Sequence, residues 1–151
     1  MPLSIDPIGV VRSPVVEGRD EAWGNVVAEL HIEAAFAPGL AGIEQFSHVL
    51  VLYWMHQAAF SPADDLVRRP RGRPDLPEIG IFAQRAKHRP VPIGVTAVRL
   101  IGHRGAILEV QGLDAIDGSP ILDIKPYFPD FDRVANPTVP DWVSRLMQGY
   151  F

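Results

Sequence analysis

Val49-Leu50-Val51-Leu52-Tyr53-Trp54-Met55 is the longest apolar run of the chain, and its reading decides the fold. It is far too short to cross a bilayer, and its length and β-branched or aromatic side chains favour a strand over a helix. The predicted strand, His48–Met55, is apolar on both faces and therefore central. Five further short runs read the same way: Ile8–Arg12, Asn25–Ile32, Gly94–Ile101, Ala106–Leu113 and Ile121–Ile124. Within the second, Val26, Ala28, Leu30 and Ile32 alternate with Val27, Glu29 and His31, which gives one apolar face. Helices are scarce. Ile43–Phe46 reads as one turn after the bend at residues 38–42. Pro140–Gln148 reads as a helix, with Pro140 in its first turn, a stripe of Trp142, Val143, Leu146 and Met147, and Gly149 as its stop. That helix is expected to cap the sheet. Six short strands and one short C-terminal helix predict a mainly β fold, a compact barrel or rolled sheet.

The 151 residues fit one domain, 1–151, with a core large enough to need no staples. Cysteine is absent, which excludes disulfides and fits a reducing compartment. Met1-Pro2-Leu3-Ser4-Ile5-Asp6 has no basic region followed by an apolar run, so no signal peptide is expected, the location expected is cytoplasmic, and no membrane partner is expected. Net charge is −4, but it is unevenly spread. Residues 68–89 hold Arg68, Arg69, Arg71, Arg73, Arg85, Lys87 and Arg89 against Asp75 and Glu78, which leaves +5 there and −9 elsewhere. A cationic patch on an acidic body attracts a polyanion locally. The Pro/Arg-rich residues 61–78 are expected to lack regular structure.

Familiar site motifs are missing. No Gly-x-Gly-x-x-Gly follows a strand, and there is no phosphate-binding loop of the Walker type. The histidines His31, His48, His56, His88 and His103 are scattered, so no metal site is expected. No Gly-x-Ser-x-Gly elbow is present.

Four segments, in order, carry a resemblance. They are Ile8-Gly9-Val10-Val11-Arg12-Ser13-Pro14; Gly42 to His48 running into Tyr53-Trp54-Met55-His56-Gln57; Gly80-Ile81-Phe82-Ala83-Gln84-Arg85 through Arg89-Pro90-Val91-Pro92-Ile93-Gly94; and Asp117-Gly118-Ser119-Pro120 through Lys125-Pro126-Tyr127. Together they resemble the TsaA-like family of S-adenosylmethionine-dependent tRNA N6-adenosine methyltransferases. The resemblance implies a small closed β-barrel of about six strands that binds S-adenosylmethionine without a doubly wound fold. It implies N6-methylation of threonylcarbamoyladenosine beside the tRNA anticodon, and cofactor contacts at His56, Gln57, Arg85, Val95, Asp117, Gly118, Ser119 and Pro120. Three features depart from the family pattern. Val91 stands where the family often has Asn; Val15–Gly24 lacks a Pro-Gly cofactor segment; and only about twenty residues follow the last motif where longer members carry a further domain.

Chemistry adds roles to these positions. Asp117-Gly118 is a turn signal, and a turn that exposes consecutive N–H groups suits a carboxylate or an adenine edge. Adenine N6 is a weak nucleophile, so positioning and an aromatic platform are what an enzyme can supply. Tyr127 or Phe128 is the expected platform, with Tyr127 and Lys125, beside Asp123, nearest the chemistry. Arg69, Arg71 and Arg89 are expected to meet the RNA, and Arg85 a carboxylate or phosphate. An unpaired Tyr150-Phe151 terminus suggests a homodimer. Methylation of another RNA or a small molecule, or S-adenosylmethionine binding without transfer, remain open alternatives.

Overall fold

The computed structural model describes residues 1–151. Its strands are β1 (Gly9–Arg12), β2 (Val27–Ile32), β3 (His48–Trp54), β4 (Val67–Arg68), β5 (Ile79–Gly80), β6 (Ile93–Arg104), β7 (Ile107–Gln111) and β8 (Pro120–Pro126). Six of them form a closed antiparallel barrel in the order β1-β2-β7-β6-β3-β8, so the fold expected from the sequence is the one observed. Closure is narrow: Gly9 faces Ile121 and Val10 faces Pro120. It removes the free edges that an open sheet would present to other chains.

Alternation fills the barrel. Ala28, Leu30 and Ile32 point inward from β2, Val49, Val51 and Tyr53 from β3, and Leu108 and Val110 from β7; all belong to one buried cluster. The outer face of β3, expected to be equally buried, is only half covered at Leu50, Leu52 and Trp54. The physical reason is the lack of a helical layer. The α-helices are α1 (Pro62–Asp65), α2 (Pro129–Asp132) and α3 (Trp142–Met147), of four to six residues, and none contains a buried residue. A strand in a barrel without that layer has one dry side.

β6 is the long strand, and it serves two neighbours. Residues up to Arg99 pair with β3, and Arg99 to Arg104 pair with β7, with a register shift between Leu100 and Gly102. A bulge there bends the strand and lets the sheet turn the barrel corner.

Two expectations are corrected. Residues 61–78 are ordered: α1 leads into β4, which pairs with β5, and a 3₁₀ turn spans Pro70–Gly72. Leu76 and Ile81 are buried outside the main cluster, and the Gln84 amide donates to the carbonyls of Arg68 and Ile79, each at 2.9 Å. That small core and its polar tie replace the disorder that the composition suggested. The C-terminal helix, expected to cap the sheet over Pro140–Gln148, is shorter, Trp142–Met147, and contains no buried residue. It delivers the last residues instead: Ala22 N–H donates to Gly149 O (2.9 Å) and Trp23 N–H to Tyr150 O (2.8 Å).

Gly94 is the position where β3 and β6 tolerate no side chain. A Cβ there would lie 2.4 Å from Cζ of Tyr53 and under 3 Å from two more ring atoms. Gly94→Ala is therefore expected to destabilise the fold by about 1–3 kcal/mol, read as a lower denaturant midpoint at unchanged m-value.

Candidate functional site

Three connections meet at one end of the barrel. β3 ends at Trp54, and Met55 N–H donates to Pro92 O (2.8 Å), so the exposed His56-Gln57 pair leaves beside the start of β6. Tyr53 faces Gly94 on β6 and Ile121 on β8, which puts the first residues of both strands on either side of the β3 end. The residues expected to contact the cofactor converge here. Nε2 of His56 is 3.9 Å from where a Cβ on Gly118 would sit. Arg85 Nη2 donates to Val95 O (2.7 Å), and both residues are exposed.

The turn at 117–120 has a different chemistry from the one expected of it. Asp117 N–H donates to Val15 O, Gly118 N–H to Val11 O and Ser119 N–H to Ile116 O, at 2.8, 2.8 and 3.2 Å. Pro120 has no N–H to give. Ser119 is buried, and its hydroxyl donates to Ile116 O (2.7 Å). Hence the turn presents no nest of free donors: Val15 and Val11 take those of Asp117 and Gly118, and Ile116 takes that of Ser119. What it leaves open are the carbonyls of Asp117 and Gly118, which accept no hydrogen bond. Gly118 sits at φ +82°, where a side chain would be strained, and the Asp117 carboxylate accepts from Ser13 N–H (3.0 Å).

Asp114 was not singled out by the sequence, yet it gathers three hydroxyl groups. Thr96 Oγ1 donates to Oδ1 at 2.5 Å, Tyr53 OH to the same oxygen at 3.1 Å, and Tyr150 OH to Oδ2 at 2.5 Å. Burial, followed by the neighbouring Asp114 charge, holds the Tyr53 and Tyr150 phenols well above their usual range, so both stay protonated donors. The donors lie 18, 61 and 36 residues away in sequence. No local pattern around Leu113-Asp114-Ala115 signals that convergence.

The basic segment joins β3 to β6 and so lies at this same end. Its arginines are held individually. Arg69 donates to Leu76 O, Arg89 to Gln84 O (2.9 Å), and Arg71 sits 3.5 Å from Asp20 with its guanidinium 5.7 Å from the Tyr150 ring centre. Arg69 and Arg89 bond to neutral carbonyls and keep their full charge.

Lys125 and Tyr127 are elsewhere. Pro126 faces Val49, and Tyr127 N–H donates to His48 O (3.0 Å), which places both at the opposite end of β3. β8 spans seven residues, about 20 Å at some 3.3 Å each. Within one chain Tyr127 therefore cannot reach a group held beside Gly118, and the expected juxtaposition of Tyr127 with the cofactor residues is not found. Lys125 forms an exposed pair with Asp123 (2.8 Å), which raises its pKa above the usual lysine value. Phe128 stacks between Phe46 and Phe131, with ring centres 5.8 and 6.0 Å away. The Tyr150-Phe151 segment, expected to be unpaired, docks on its own chain through Trp23 and Asp114, which removes the ground given for a homodimer.

Two cavities of about 190 and 140 Å³ lie on the β6–β7 hairpin around Gly102 and His103, and none of the expected cofactor residues lines them. No three His, Asp or Glu side chains come close enough to hold a metal ion, and no helix is long and apolar enough to cross a membrane.

Residues 19–133 match the family model described as the tRNA-methyltransferase O N-terminal domain, a span that contains every expected site residue. The chain is 42% identical over 138 residues to a probable S-adenosyl-L-methionine-binding protein of Methanothermobacter thermautotrophicus, covering 89% of this chain and 96% of that protein. It is 36% identical over 135 residues to the tRNA (adenine(37)-N6)-methyltransferase of Escherichia coli, covering 82% of this chain and 57% of the enzyme. The crystal structure of TrmO from Pseudomonas aeruginosa is similar with a TM-score of 0.72 at 36% identity, covering 91% of this chain and 62% of that one. The chain thus spans little more than half of these longer methyltransferases.

The Asp114 cluster has a pH signature. A phenol whose pKa is raised in the folded state contributes stability that is complete below the ordinary value of 10.0 and is lost as pH rises above it. Denaturation midpoints are expected to fall once pH exceeds about 10. Tyr150→Phe should make that fall shallower, and an identical slope in the variant would contradict the assignment.

Proposed function

Because the chain belongs to the family of tRNA-methyltransferase O N-terminal domains, we propose that it binds S-adenosylmethionine at the β3–β6–β8 end of the barrel and methylates N6 of an adenosine in tRNA. The threonylcarbamoyladenosine beside the anticodon is the proposed target. The observation that carries this reading is convergence: His56, Arg85, Val95 and Gly118 come from three separate parts of the chain and share one barrel end with the basic segment.

The residues present fit such a cofactor. Arg85 uses one N–H on Val95 O and keeps the rest of its guanidinium for a carboxylate. The open carbonyls of Asp117 and Gly118 match the exocyclic amine of an adenine, a donor, better than free N–H groups would. His56 stands beside the unsubstituted Gly118, where no Cβ crowds the turn. The sulfonium supplies an electrophilic methyl group; the protein's part is to orient both reactants and keep the amine in line with the methyl carbon. Arg85, His56 and the carbonyls of Asp117 and Gly118 would hold the cofactor, whose methyl group would pass to N6 with departure of the thioether, and the N6 proton would go to water. Arg69, Arg71 and Arg89 supply positive charge at that end for the anticodon arm.

A binding role without transfer is the second reading, favoured by the distance of Tyr127 and Lys125 from the cofactor residues.

Calorimetric titration is expected to show one saturable S-adenosylmethionine site per chain, and no heat at millimolar ligand would defeat both readings. Arg69→Glu combined with Arg89→Glu is expected to cut tRNA methylation by at least about tenfold at low salt and to flatten the salt dependence of tRNA binding. Unchanged kinetics would remove the basic segment from the interface.

A further inference from the structure

The proposed pocket has two walls that the barrel does not tie together directly. One is the start of β6, where Arg85 grips Val95; the other is the connection from β7 to β8, which carries Asp117 and Gly118. At this end β6 pairs with β3, while the 113–119 connection leaves the sheet. The sheet joins them only through β3, where Tyr53 faces Gly94 and Ile121, and the long-range backbone bonds of the turn run to Val11 and Val15 rather than to β6.

We infer that Asp114 is the positioning residue of this pocket, a carboxylate cross-brace that fixes the 117–120 turn against the Arg85–Val95 wall through the hydroxyls of Thr96, Tyr53 and Tyr150. Thr96 immediately follows Val95, so its 2.5 Å bond to Oδ1 anchors the β6 wall directly. Tyr53 adds β3, the strand that leads to His56, and its ring has room only because position 94 is glycine. Tyr150 occupies the other carboxylate oxygen and brings in residues 19–24 through the bonds to Ala22 and Trp23. On either side of Asp114 the connection is sunk at Leu113 and Ala115, and three residues on it begins the turn beside His56. An ionised carboxylate has about four lone-pair sites, and three oriented hydroxyl donors leave it little freedom to rotate. A neutral amide in its place accepts at one atom only and points N–H groups at hydroxyls that need an acceptor. Asp114 acts through its neighbours and touches neither reactant.

The inference rests on the cofactor reading above, and its test separates the two. Thr96→Val keeps the shape and deletes the donor; Thr96→Ser keeps the donor. Both are measured, with Asp114→Asn, for S-adenosylmethionine affinity by calorimetry and for amide hydrogen exchange at Asp117 and Gly118 in the absence of ligand. Thr96→Val is expected to weaken affinity roughly tenfold or more, the size expected of a hydrogen bond to a charged group, and Thr96→Ser to restore it. Exchange at Asp117 and Gly118 should accelerate in Thr96→Val and Asp114→Asn and return to the parent rate in Thr96→Ser. Folded variants with parent affinity and parent exchange overturn the brace. If Asp114→Asn does not fold, the Thr96 pair decides alone. If the parent protein binds no S-adenosylmethionine while exchange follows the expected order, the cofactor reading falls and the brace stands.

Discussion

Closing six strands into a barrel leaves no room inside for a ligand. Barrels of eight strands are filled by their own side chains or hold one small ligand, and here Val11, Leu30, Val51, Leu108 and Val110 already occupy the smaller interior. Function is thereby confined to the two ends and the outer surface. Which end matters depends on the connections, since loops rather than strands carry the variable chemistry. The long 55–92 connection, the 113–119 connection and the last residues of the chain all meet at the end where β3 stops.

That asymmetry orders the rest of the molecule. At the β3 exit the side chains are braced: Gly94 admits the Tyr53 ring, Tyr53 reaches Asp114, and Asp114 ties β6 to the turn that holds Gly118. The arginines of the basic segment are held by carbonyls, by Asp20 and by the Tyr150 ring, so positive charge is displayed from a fixed frame. At the opposite end Lys125 is neutralised by Asp123, and the stacked Phe46, Phe128 and Phe131 rings present an apolar surface without a comparable polar network. The proposed methyl transfer demands that two reactants be positioned, and the braced end offers the fixed frame for that.

The fold was legible in the sequence because each barrel strand contains a short run rich in apolar, β-branched or aromatic residues. The six expected strands are the six that close the barrel. The extra length of β6, to Arg104, was not legible, because the bulge at Leu100–Gly102 arises from serving two neighbours and has no local signature. The site was legible only in part. Positions implied by the resemblance proved to lie together at His56, Arg85, Val95 and Gly118. The donors of the 117–120 turn were misjudged, since the acceptors of Asp117 and Gly118, Val15 and Val11, lie more than 100 residues earlier in the chain. Tyr127 was placed near the chemistry as an aromatic platform, but a strand of seven residues carries it to the far end from Gly118. Asp114 escaped notice because nothing about a lone aspartate between Leu113 and Ala115 reports three hydroxyls arriving from 18 to 61 residues away.

The central claim is that the β3-exit end, and not the Tyr127 end, holds the sulfonium nucleoside. Titrating uniformly ¹⁵N-labelled protein with S-adenosylmethionine and following backbone amides tests it most directly. The account expects the largest shifts at His56, Gln57, Arg85, Val95 and Gly118, with Lys125, Tyr127 and Phe128 unmoved. Shifts centred on Lys125–Phe128 would contradict it.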